Sequence, residues 1–321
     1  MKKIIYSAPA KVILSGEHAV VYGKPALVSA INLRFKFNLW KKQDSNNHLN
    51  NDRDLNGNIE FINNLIRKFL NKGKSTIVKN KSYQYKIESD IPIGRGLGSS
   101  AALSVTATAA FLEFFSSKEY PPKTINNLAH EVEKRFHRNS SGVDTTASCF
   151  GGLIYYRKEL EFLKNISVLD YKIPKKIEEK LFLVDSGEPK ETTAEMVAYV
   201  GFLLYKKSKL VLQVLNDIER ITKKMVMAIV KQDNVSFKQT ISANEKLLEK
   251  IGVVSSETKK LLSNLSNFGV GKITGAGGKK NGSGFLLFYA DDVGGLKKYC
   301  QTNKISYFKF SQSSTGATKL N

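Results

Sequence analysis

Apolar and polar positions along the chain fall into short runs that switch between the strand period of two and the helical period of 3.6. Ile4-Ile5-Tyr6-Ser7-Ala8 reads as a strand, Pro9 as a break, and Val12-Ile13-Leu14 as a second strand ending in the polar stretch Ser15 to Pro25. Leu33 to Trp40 alternates as a half-exposed strand, and Lys41 to Asn58, rich in Asn and Asp, reads as a surface excursion. Ile59 to Leu70 has helical spacing and Tyr83 to Ile87 that of a strand. Leu103 to Ala110 is a run of small residues without Pro or Gly, as expected of a buried helix. After Pro121-Pro122 the helical period returns from Ile125 to His137, and Gly151-Gly152 turns into the strand Leu153 to Tyr156.

The charged, Pro-containing segment Tyr171 to Lys180 has the character of a domain junction. Beyond it, the strand Leu181 to Val184 closes on a polar turn, Asp185 to Thr193, and helical periodicity runs with breaks to about Phe268. A glycine-rich turn, Lys272 to Gly278, precedes the strand Phe285 to Tyr289; a helix from Val293 and a strand near Tyr307 follow. Strands and helices are segregated rather than strictly alternating, which predicts an α+β fold, with one domain over 1–175 and a second over 176–321.

Composition narrows the class. The chain has 321 residues, 41% hydrophobic and 25% charged, enough to bury a substantial core. No apolar run approaches membrane-spanning length and no signal peptide follows Met1-Lys2-Lys3, so a cytoplasmic protein is expected. Cys149 and Cys300 lack any metal or redox spacing and are expected to be free thiols. The net charge of +21 would suit nucleic acid, a membrane surface or an anionic small molecule. Its lysines are scattered in short pairs, without Arg-rich blocks or interleaved aromatics, so neither nucleic acid nor membrane is expected as a partner.

Candidate chemistry centres on Ile91-Pro92-Ile93-Gly94-Arg95-Gly96-Leu97-Gly98-Ser99-Ser100-Ala101-Ala102, a glycine-rich loop feeding a helix. Alternate glycines let an anion approach the backbone, and the unpartnered N–H groups and dipole of a helix start favour a phosphate. Ser99 and Ser100 are placed to cap the helix, or a hydroxyl there could hold Mg²⁺. No Lys-Ser or Lys-Thr pair ends the loop, so it is not a Walker A sequence. Lys11, Glu17 and His18 sit near a strand end, a usual address for site residues. His130, Glu133 and His137 could share one helix face; Glu133 alone as a magnesium ligand is favoured over a zinc site, which would lack ligands. Asp144 heads another helix start, where capping is the plain reading.

Three separated segments together resemble the GHMP kinases, the superfamily that includes galactokinase, homoserine kinase, mevalonate kinase and phosphomevalonate kinase. Lys11 to Gly23 resembles the first motif of that family, Pro92 to Ala102 the second and Lys272 to Gly278 the third. Within it, Gly16-Glu17-His18-Ala19-Val20-Val21 and Arg135 to Asp144 are similar to the mevalonate kinases. The resemblance implies a ribosomal protein S5 domain 2-like N-terminal domain that binds ATP, a ferredoxin-like C-terminal domain, and phosphorylation of the 5-hydroxyl of mevalonate. It implies Asp144 as base with Lys11 beside it and Ser100 and Glu133 on Mg²⁺. The ATP phosphates would lie on Pro92, Gly94, Arg95, Gly96, Leu97, Gly98, Ser99, Ser100, Ala101 and Ala102. Mevalonate would meet Lys11, Glu17, His18, Asp144 and Thr193, the last from the Lys190 to Thr193 turn. A homodimer is one assembly open to such a protein.

Two departures stand out: Lys279-Lys280-Asn281-Gly282-Ser283-Gly284 interrupts the third motif where glycines and a Cys are usual, and Ser140 stands where many relatives have Pro. Two other readings remain open from the sequence: a superfamily kinase for phosphomevalonate or a sugar, and a non-catalytic basic binder on the same scaffold.

Overall fold

The structure, a computed structural model, describes residues 3–42, 53–72, 82–136, 140–160 and 163–320. Strands β1 (Ile4–Ser15) and β2 (Pro25–Lys41) form a long antiparallel pair, linked by a segment that holds one turn of 3₁₀ helix at Ala19–Tyr22. Pro9 does not break the first strand. It lacks an N–H for the ladder, and the pairing absorbs it as a register shift between Pro9 and Ala10. After α1 (Arg53–Lys72) and β3 (Tyr83–Ser89) come α2 (Ser99–Ser116), α3 (Pro122–Phe136), α4 (Val143–Phe150), β4 (Leu153–Lys158) and β5 (Lys164–Leu169). Most of the Asn-rich excursion lies outside the described residues, but Arg53 to Asn58 already belongs to α1.

The sheet runs β1-β2-β4-β5, with β4 paired to the first part of β2 and β3 to its second part. Helix α2 lies at the centre, in contact with β1, β2, α1, α3 and α4, and every residue from Ala101 to Phe115 is buried. Its alanines, serines and threonines permit this. Small side chains let backbones approach closely, and the Ser104 and Thr106 hydroxyls bond back to carbonyls of their own helix.

A short helix, α5 (Lys175–Glu178), occupies the expected junction and leads to β6 (Leu181–Asp185). Helices α6 (Thr193–Lys206), α7 (Ser208–Val230), α8 (Asn234–Lys250) and α9 (Ser256–Leu265) follow, then β7 (Gly269–Ile273), β8 (Phe285–Ala290), α10 (Val293–Thr302) and β9 (Tyr307–Lys309). The second sheet, in order β7-β8-β6-β9, is antiparallel throughout and has the β-α-β-β-α-β course of a ferredoxin-like domain. Its two central strands are buried on both faces. Leu181, Leu183, Phe285 and Leu287 join the core shared with β1 and α2, whereas Phe182, Val184, Leu286 and Phe288 face α6, α7 and α10.

The chain then returns to the first sheet. Strand β10 (Thr318–Leu320) pairs with Ile5 to Ser7 of β1. Arg34 fastens the approach, donating to the carbonyls of Ser7 and Gly316 at 3.1 and 2.9 Å. A division at residue 175 therefore falls between the two sheets, with the last strand crossing back.

Candidate active site

The loop before α2 is built as its glycines require. Gly94, Gly96 and Gly98 have φ of 70, 81 and 80°, the left-handed region that side chains disfavour. Space adds a second constraint at two of them. A Cβ on Gly96 would come within 2.9 Å of the Thr274 carbonyl, and one on Gly98 within 2.9 Å of Lys11 Cγ. Gly98 itself is the N-cap of α2, and no side chain caps the helix. The expected capping by Ser99 or Ser100 is thus corrected: both are helical residues. Without a side-chain cap, the first-turn N–H groups are left to water or an anionic ligand.

Lys11 sits mid-strand in β1, 2% exposed, with its backbone N–H donating to Leu97 of the loop at 3.0 Å. Its ammonium lies 3.2 Å from Asp144 Oδ2. Asp144 occupies the first turn of α4, but Gly142 is the N-cap, so the carboxylate is not consumed as a cap. It is about one-third exposed, open to solvent on one side and to a buried cation on the other.

Glu133, on α3, accepts from Ser100 Oγ at 2.8 Å and from Ser104 Oγ at 3.2 Å. Burial pushes its carboxyl up to about 7, and the nearby charge of Asp144 adds to this against the two hydroxyl bonds and Lys11. A buried carboxylate beside a helix-start hydroxyl is the sparse oxygen set that magnesium takes, and a cation there would relieve that burial. His130 is buried near the left-handed Gly142, and His137 lies outside the described residues. Among the described residues no three His, Cys, Asp or Glu side chains converge on a metal position.

The first-motif loop departs from expectation. The Glu17 carboxylate does not face an open cleft. It is fully buried, ion-paired with the equally buried Lys272 of β7 and hydrogen-bonded by Asn244 of α8 at 3.0 Å. Both carboxylate oxygens are therefore occupied by the protein. His18 is also buried, but only Nε2 has a partner, the Ala276 carbonyl at 2.9 Å; Nδ1 has none. Burial lowers this imidazole to about 4, against the raising effect of that carbonyl, so it is neutral at pH 7. Of the two threonines, Thr192 closes a capping box with Glu195 at the start of α6, which leaves Thr193 exposed with its hydroxyl unspent.

The second glycine-rich turn lies against the first. A Cβ on Gly275 would sit 3.5 Å from the Gly96 carbonyl, and Phe285 N–H donates to the Arg95 carbonyl. The Lys279 to Gly284 departure folds as a clasp: the Lys279 and Lys280 N–H groups donate to Glu191, and Asn281 bridges to Pro189. Sequence reasoning missed Ser104, Lys272, Thr274 and the Arg95–Asp185 ion pair at 3.0 Å. The sequence reads Lys272 as the first residue of the glycine-rich turn, whereas it lies inside β7. Nothing pointed to Glu17, 255 positions away.

Known proteins resemble this chain in sequence and in fold. Residues 60–152 match the model of the GHMP kinases N terminal domain. The mevalonate kinase of Archaeoglobus fulgidus is 32% identical over 285 residues, covering 86% of this chain and 89% of its own. That of Thermococcus sibiricus is 30% identical over 302 residues, covering 86% and 87%. Among solved structures, Methanococcus jannaschii mevalonate kinase superposes with a TM-score of 0.76 at 22% identity, covering 97% of this chain and 98% of its own. L. major mevalonate kinase in complex with R-mevalonate gives 0.75 at 23%, covering 98% and 97%.

Proposed function

The chain belongs to the mevalonate kinase family of the GHMP kinases, and from that premise we propose that it transfers the γ-phosphoryl group of ATP to the 5-hydroxyl of mevalonate, giving 5-phosphomevalonate and ADP. The observation that carries this reading is the Lys11–Asp144 pair: a buried ammonium 3.2 Å from a half-open carboxylate, wedged against the glycine at the mouth of α2. A bound phosphate donor and an activated hydroxyl are wanted side by side, and here the two features share Lys11 and Gly98.

In-line phosphoryl transfer asks mainly for positioning and charge neutralisation, because bonding to the leaving oxygen is largely lost before the nucleophile gives up its proton. Asp144 then suffices as acceptor for the proton of the 5-hydroxyl. Lys11 holds the negative charge that passes between carboxylate and alkoxide, and being buried it does so in a medium that screens poorly. The uncapped first turn of α2 and the loop backbone from Gly94 to Ala102 hold the ATP phosphates. Ser100 and Glu133 would hold Mg²⁺, which when bound neutralises phosphate charge. His18 and Thr193 face mevalonate, and Glu17 acts from behind them. In this reading 1–175 is the nucleotide-binding domain and 176–321 the second, with β10 returned to the first sheet. No described helix is long and apolar enough to cross a membrane, and the cytoplasm is the compartment we assign.

The test is ADP release by the purified protein with ATP and Mg²⁺, with and without mevalonate. Strict dependence on mevalonate is expected. Turnover with phosphomevalonate or a sugar instead would keep the kinase and replace the substrate, and ATP binding with no turnover on any alcohol would leave only a binder.

A further inference from the structure

His18 has φ 57° and ψ −42°, and the N–H of Ala19 donates to the Glu17 carbonyl at 2.6 Å. This is a γ-turn with positive φ at a residue bearing a large side chain, a rare and strained conformation. Such a turn persists only where its surroundings over-determine it. Here they do so from the other domain. Lys272 uses all three of its ammonium protons: on the Glu17 carboxylate, on the Ile13 carbonyl at 3.3 Å and on the Ile273 carbonyl at 2.7 Å. Thr274 Oγ1 accepts from the Ile13 N–H at 2.8 Å and donates to its carbonyl at 3.1 Å. Asn244 takes the second oxygen of Glu17, and Ala276 takes the imidazole. The end of β1 and the loop that follows it are thus gripped at Ile13, at Glu17 and at His18 itself by groups of β7, its turn and α8.

We infer that Lys272 and Asn244 are positioning residues that act through Glu17: they hold the γ-turn at His18 so that the imidazole is fixed as the Nε2–H tautomer, with Nδ1 kept as an acceptor for a substrate hydroxyl. The inference rests on the kinase reading for the identity of that hydroxyl, but not for the grip itself. A buried acceptor without a donor is costly, and Nδ1 is such an atom until a ligand supplies one. A buried ion pair is also a poor way to gain stability, since apolar residues of similar size do as well or better. Its value here is geometric, because ammonium and carboxylate join two sheets at a fixed distance and direction.

The experiment separates geometry from stability. Lys272→Met alone strands the Glu17 carboxylate in the interior and can unfold the chain, so the deciding variant is Glu17→Gln with Lys272→Met, which removes both charges and keeps both stems. We expect it to fold but to melt below the wild type, because the Ile13 and Ile273 carbonyls lose the donor that Lys272 gave them, to raise the mevalonate KM about tenfold or more, and to leave the ATP KM within about twofold. The ¹⁵N signals of the His18 ring should change from one Nε2–H tautomer to a mixture. A folded double variant with the wild-type mevalonate KM and an unchanged His18 tautomer would overturn the inference and leave the pair a structural bracket. If the wild type does not turn over mevalonate at all, the kinase reading fails, and the His18 signals of the double variant still decide the grip.

Discussion

Gly98→Ala tests whether the phosphate loop and the Lys11–Asp144 pair are one device. A methyl group at this position would lie 2.9 Å from Cγ, 3.2 Å from Cε and 3.6 Å from Cδ of Lys11, where ordinary contact begins near 3.4 Å. The lysine stem would have to retreat by about half an ångström, the distance over which repulsion turns to contact. It has little room, being 2% exposed, with its N–H on Leu97 and its ammonium on Asp144. Alanine at φ 80° adds about 1–2 kcal/mol of backbone strain. Misplacement of a reacting group by about 1 Å costs about a hundredfold in rate, so a fall in kcat of about 10- to 100-fold is expected. Stopped ADP-release assays at saturating substrates read it, and a double-mutant cycle with Lys11→Ala assigns it. Once the lysine stem is gone the added methyl should cost only the strain, so the two losses should not multiply. Losses that multiply would refute the reasoning and place the effect of the methyl in the loop alone.

The other expectations are more direct. Asp144→Asn should lower kcat by about 10²- to 10⁴-fold with an unchanged circular dichroism spectrum, the scale of a lost general base; turnover within tenfold of wild type would remove Asp144 from that role. Glu133→Gln should raise the Mg²⁺ concentration needed for half-maximal nucleotide binding at least tenfold, read by titrating a fluorescent ATP analogue, while chelation of the metal should silence the wild type. Protonation linkage gives two opposite signs. His18 is lowered from 6.5 to about 4, so its contribution is present above pH 6.5 and is lost as pH falls through 4, about 3 kcal/mol in all. Glu245 is raised from 4.5 to about 7 by burial, so its contribution is present below pH 4.5 and lost as pH rises through 7. Urea unfolding of His18→Asn and Glu245→Gln beside the wild type should show the first gap closing towards pH 4 and the second variant gaining stability at pH 8. Gaps that do not move with pH would reject both assignments.

What the sequence determined by itself was local. The alternation around Leu33, the continuous apolar run from Phe285, the helical period of Ile59 and Ile125, and the small-residue run after Ser100 each specify an element, because side-chain period and backbone freedom are properties of neighbours in the chain. Glycines at 94, 96 and 98 announced a backbone that side chains disfavour, and the superfamily entered through the resemblance of three motifs to a known family. Lys11 was legible as a polar residue near a strand end and Glu133 as a carboxylate on a helix face, and Asp144 read as a cap; their catalytic roles came only with the resemblance.

Tertiary structure decided who meets whom. Pro9 looked like a break, and only its pairing with β2 shows that one register shift accommodates it. Asp144 looked like a cap until Gly142 took that place. Glu17 looked like a substrate contact; its true neighbours, Lys272 and Asn244, come from strands and helices more than two hundred residues away, and no periodicity encodes such a meeting. The return of β10 to β1 was equally invisible, since three residues carry too little pattern to name a partner. Contacts made at long range through burial depend on how the elements pack, and a one-dimensional pattern specifies the elements but not the address to which each buried charge is sent.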